Sequence, residues 1–120
     1  MSLIARNLEA AGIATVVVGS ALDIMNAVGV PRGLFVDTPL GNPVGPPNDA
    51  DTQRLVLSLA LDLAASATAP RTIVQAPVTW PSNEWRENYM HVGDDNRAEL
   101  AAAGEARREQ QRARRVERNS

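Results

Sequence analysis

Few residues on this chain have the types and spacing to do chemistry. The best placed lie in the run Asp37-Thr38-Pro39-Leu40-Gly41-Asn42-Pro43-Val44-Gly45-Pro46-Pro47. Four prolines and two glycines in these eleven residues hold the backbone out of helix and ladder alike. The run follows a short apolar stretch, Leu34-Phe35-Val36. Loops that leave buried strands are where α/β proteins commonly build their sites. Asp37 and Asn42 are the polar side chains best placed to bind something, although each can instead serve neighbouring backbone groups as a turn residue. Gly41 and Gly45 invite a phosphate reading, yet no GxGxxG and no Walker lysine accompanies them. The four prolines also lack the N–H donors that a phosphate cradle needs. A rigid connector without a ligand is the competing reading of the loop.

Other candidates stand apart from the loop. Arg32, after Pro31, offers a fork for a carboxylate or phosphate, and pairing with an acid of its own chain is the commoner fate of such a residue. Ser20 follows an apolar strand at a helix start, where capping accounts for it as well as anion binding does. His91 closes a short aromatic segment and reads as a surface or packing residue. Trp80, Trp85 and Tyr89 suit either a partner surface or a lid on the core.

Composition excludes several mechanisms. The chain has no Cys, and all twelve basic residues are Arg. There is no thiolate, no Schiff-base lysine and no Cys metal ligand. A single His rules out multi-histidine metal sites. No catalytic residue, cofactor site or metal site is expected. Only four aromatic residues occur among 120, so Leu, Val, Ile and Ala must build the core. A small domain with so modest a core is marginal alone, and a partner chain or homo-oligomer is expected. No apolar run approaches the length of a membrane helix, and no cleavable signal opens the chain, so the expected compartment is cytoplasmic.

The elements that must position these residues alternate. Residues 2–11 read as a helix stopped at Gly12, and residues 13–18 as a buried parallel strand. Ser20 and Asp23 have capping-box spacing ahead of a helix that ends at Gly29. Residues 33–36 form a second strand. Asn48 or Asp49 then caps a long helix to about Ala67, whose Leu55, Leu59, Leu63 stripe and second Leu57, Leu61 stripe suggest burial on more than one side. Residues 72–75 form a third strand, and Ser82 caps a short helix. The expected fold is α/β: a small parallel sheet of about three strands, helices on both faces, and right-handed crossovers. It fills residues 1–95 as a single domain, followed by a polar tail, 96–120, that is an Arg/Glu-rich helix. There Glu105 with Arg108, and Glu109 with Arg112, are spaced for ion pairs. Interleaved acids and the absence of aromatics make nucleic-acid binding by the tail the lesser reading, and a solvated helix the better one.

Residues 3 to 67 resemble selenoprotein B of the glycine, sarcosine, betaine and D-proline reductases, and above all its short bacterial relatives. The resemblance is carried by Glu9 with Gly12 and Ile13, by Val28-Gly29 with Arg32, and by Pro39-Leu40-Gly41-Asn42-Pro43. It implies an oxidoreductase component acting on a small amine substrate, in which a selenocysteine or cysteine attacks and a thiol system completes the reduction. In the reductase subunits the reactive residue lies just upstream of the helix matching residues 2–11. Short relatives often carry Cys at the position of Val44, and here valine cannot act as a nucleophile. The resemblance therefore implies a subunit or half-domain whose substrate-binding wall is Arg32, Asp37, Pro39, Gly41, Asn42, Val44 and Gly45. The reactive atom would come from a redox-bearing partner chain. The alternative is a binding or scaffold module that keeps the fold without the redox chemistry.

Overall fold

A computed structural model describes residues 1–88 and 93–118. They form α1 (Ser2–Ala10), β1 (Val17–Gly19), α2 (Leu22–Val28), β2 (Arg32–Phe35), α3 (Ala50–Ser66), β3 (Thr72–Gln75), α4 (Glu84–Asn88) and α5 (Arg97–Arg118). The chain divides into two compact units, Met1–Trp85 and Arg86–Ser120. The expected short partner for Trp85, Tyr89, and the lone imidazole of His91 lie outside the described residues.

The first unit is a three-stranded parallel sheet in the order β1-β2-β3. Val17 pairs with Gly33, Val18 with Leu34 and Gly19 with Phe35; Gly33 in turn pairs with Ile73 and Leu34 with Val74. Side chains alternate between faces along a strand, so Leu34 and Gly33 look opposite ways. On the Leu34 face lies the core: Leu34, Val36, Val56, Ala60, Leu63, Ala76 and Val78, with α3 laid across β2. On the Gly33 face sits α2. A Cβ on Gly33 would lie 2.7 Å from Met25 Cε and 3.0 Å from Val30 Cγ2. Glycine here is what lets the buried Met25 reach the sheet.

Helices therefore cover both faces, as expected, but the expected handedness does not hold. The strands advance in one direction while α2 and α3 lie on opposite faces, so the two crossovers have opposite hands. The deciding contact is that of Met25 with the glycine face, which places α2 across the sheet from α3.

Helix ends follow the sequence in part. Ile13 N–H donates to Leu8 O at 2.9 Å and Gly12 N–H to Glu9 O at 3.0 Å, the paired bonds that close a helix at glycine. The Ser20–Asp23 capping box does not form: Ala21 is the N-cap residue of α2, with no side-chain bond. Asp49, not Asn48, caps α3, accepting from Thr52 N–H at 3.0 Å and from Thr52 Oγ1 at 2.6 Å. These bonds hold the Asp49 carboxyl below its ordinary pKa.

Two apolar readings are corrected. The expected strand over residues 13–18 shrinks to Val17–Gly19, and Ile13 is exposed. Residues 13–16 precede the first ladder pair, and the N–H of Thr15 goes to the Glu9 carboxylate instead. Helix α3 is buried on one stripe alone, Val56, Ala60 and Leu63, with Leu59 partly covered. Leu57 and Leu61 face outward at 60% and 63% exposure, because in this unit a single sheet face backs the helix.

The second unit holds α5, which is Arg-, Glu- and Gln-rich from Glu105 onward and carries a Leu-Ala-Ala-Ala-Gly stretch before it. The expected ion pairs of Glu105 with Arg108 and Glu109 with Arg112 do not close. The four side chains share one shallow recess on the helix surface without pairing. Exposed pairs of this kind gain little over hydration, so nothing holds the rotamers together. Among the described residues no helix is long and apolar enough to cross a membrane.

Candidate functional site

Strand β2 runs between two polar constructions, one at each end. At its start is Arg32. Its Nη1 donates to Glu9 Oε1, at the end of α1. The same carboxylate oxygen accepts from Thr15 N–H at 2.7 Å and Thr15 Oγ1 at 3.1 Å. The Thr15 bonds, then the Arg32 charge, hold the Glu9 carboxyl below its ordinary pKa, against a desolvation effect that raises it. About a fifth of the Arg32 side chain remains exposed, and its Nε is buried without a partner among the described residues. A cleft of about 260 Å³ opens beside the pair, bounded by Pro31 and by residues 67–70.

Loop 37–47 leaves the other end of β2. Its first turn is held by Thr38, which is 1% exposed. Thr38 N–H donates to Val36 O at 2.9 Å, and Thr38 Oγ1 donates to Asn42 O at 2.8 Å. Asn42 N–H donates to Pro39 O and Gly45 N–H to Asn42 O, both at 3.1 Å. The backbone of Asn42 is thus the hub of the loop. Its side-chain amide makes no hydrogen bond among the described residues, and it is half-buried. Asp37 is half-buried and is held by an interaction of its own.

Two glycines serve the loop differently. Gly41 has φ +97° at a tip where a Cβ would meet open space. Gly45 has φ +99° and is buried, and a Cβ there would run into Thr52 Cγ2 in the first turn of α3. Positive φ accounts for glycine at both positions; contact with α3 adds a second reason at Gly45. Pro39 is half-buried, whereas Leu40 and Val44 point outward at 51% and 42% exposure.

The residues singled out from the sequence accordingly fall into two places. Asp37, Pro39, Gly41, Asn42, Val44 and Gly45 share the loop. Arg32 does not join them: it opens the strand whose far end the loop leaves, five residues or roughly 16 Å of extended chain away. Its fork is engaged by Glu9, the own-chain acid. Sequence reasoning passed over Thr38 and Thr15. Thr38 had a usable signal, a hydroxyl residue just ahead of a proline turn, where side chains commonly bond nearby carbonyls. Thr15 had none, because its partner Glu9 is on the far side of a helix end.

Chemically the loop is a wall rather than a reaction centre. It offers one amide, one carboxylate and two apolar tips on a backbone fixed by its own hydrogen bonds. Among the described residues no group of three or more His, Cys, Asp or Glu side chains is placed to hold a metal. Comparisons with protein-family models, with curated proteins and with solved structures find no match to this chain.

Proposed function

We propose that this chain is a component of the reductase-B type, acting without a redox group of its own, and that loop 37–47 forms one wall of a site completed by another chain. The observation that carries this reading is the contrast within the loop. Its backbone is tied down by Thr38 and Asn42, yet Leu40 and Val44 are left outward and half uncovered. Stiff backbone with apolar tips is the form of a preorganised contact surface, which loses little entropy when a partner covers it. The substrate class that goes with this reading is a small amine, held by Asp37 and Asn42 against the wall, with the attacking thiol or selenol supplied by the partner.

The test is partner capture by the full chain, followed by turnover of the captured complex with an amine substrate and a dithiol. The expected result is a complex that reduces substrate, no turnover by the chain alone, and at least tenfold weaker capture by the variant Leu40→Ser with Val44→Ser. A chain that stays monomeric and captures nothing defeats the proposal. A second reading, a scaffold that keeps the fold without redox chemistry, is favoured by the outward Leu57 and Leu61 of α3. It predicts a captured complex that depends on α3 and performs no reduction.

A further inference from the structure

Helix α5 sorts its charges by face, which a count of residues along the sequence conceals. At 3.6 residues per turn, positions 107, 111, 114 and 118 form one row and 108 with 115 a neighbouring row, together covering about 120° of the helix. These positions hold Arg107, Gln111, Arg114, Arg118, Arg108 and Arg115, and none carries an acid. Glu105 and Glu109 lie off this face, beyond its Arg108 edge, where they share a recess with Arg108 and Arg112. The Arg and Gln side chains are all exposed, and Gln111, Arg114, Arg115 and Arg118 line a single recess of about 290 Å³. None of the five arginines forms an ion pair among the described residues.

We propose that this face of α5 binds the phosphate backbone of double-stranded DNA. Guanidinium forks match phosphate oxygens two at a time, and the basic face is built of arginine alone. A helix about 10–12 Å across fits a major groove about 12 Å wide, with its two arginine rows reaching phosphates along the groove. The helix has no aromatic residue to stack on unpaired bases, which favours duplex over single strand. A broad stripe of large apolar side chains, which an interfacial membrane helix needs, is also lacking: Leu100 and Val116 stand alone among alanines. Contact through phosphates alone carries no sequence preference.

The experiment is fluorescence anisotropy of a labelled 20-base-pair duplex titrated with the full chain between 50 and 200 mM salt. With about five phosphates contacted, log K should fall against log salt with a slope of about −4 to −5. The variant Arg114→Glu with Arg118→Glu should weaken binding at least tenfold, with its helix content by circular dichroism unchanged. The variant Arg6→Glu with Arg54→Glu makes the same change in net charge at residues outside α5 and should bind like the parent. No binding at 50 mM salt, equal losses in the two double variants, or tighter partition onto phosphatidylserine vesicles than onto the duplex would each overturn the proposal.

Discussion

The two ends of β2 are held by different physics. At the Arg32 end a carboxylate, a guanidinium and a threonine meet from three separate segments. At the loop end the bonds run between near neighbours, Thr38 to Asn42 and Asn42 to Gly45, with glycine and proline setting the dihedrals. The first construction is long-range and charged, and it fails when a proton is added. The second is local and uncharged, and it fails when a side chain is forced into it. Rigidity of the loop therefore comes here from sequence-local chemistry, while the charged corner ties α1 to the sheet.

The largest break in this contrast should come from Gly45→Val. The new side chain meets Thr52 and must adopt positive φ, so the loss should be about 2–4 kcal/mol from crowding plus strain, read by urea unfolding. A midpoint within error of the parent would show that the loop does not rest on α3. Gly41→Val shares the dihedral problem but meets open space, and should cost about 1–2 kcal/mol while distorting the loop locally. The difference between the two variants isolates the contact with Thr52. The smallest effect belongs to the charged corner. Glu9 and Asp49 are both held below their ordinary pKa, so the folded state favours their ionised forms. Their stabilisation is complete above the unfolded-state pKa and drains away as pH falls through the folded values, on the acid side of about pH 4. Glu9→Gln should flatten that part of the pH–stability curve and lower Tm by a few degrees at neutral pH. An unchanged acid limb would remove Glu9 from the account.

Local signals carried much of the fold. Gly12 and Gly29 ended helices where glycine belongs, Asp49 capped α3, and residues 72–75 formed a strand as read. Such features depend on a few adjacent residues, so they survive reading without coordinates. The misreadings of burial share one cause. Ile13, Leu57 and Leu61 are apolar, and apolar patterning alone assigned them to the interior, but burial needs a second layer to lie against. The same limit applies to the site: the loop's residues were visible as a group because they are contiguous, and Arg32 was read as the partner of an acid of its own chain, but that the acid is Glu9 depends on which distant segments meet.

By itself, then, the sequence determined the alternation of helix and strand, the stiff loop after β2, and the absence of any thiol or lysine chemistry. These are properties of composition and of residues within a few positions of one another. Only the tertiary structure decided that α2 is the helix across the sheet from α3, that Glu9 is the acid that engages Arg32, and that Leu40 and Val44 stay uncovered. Each of these turns on which distant segments meet, and contact across the chain is set by the packing of whole layers rather than by any local preference.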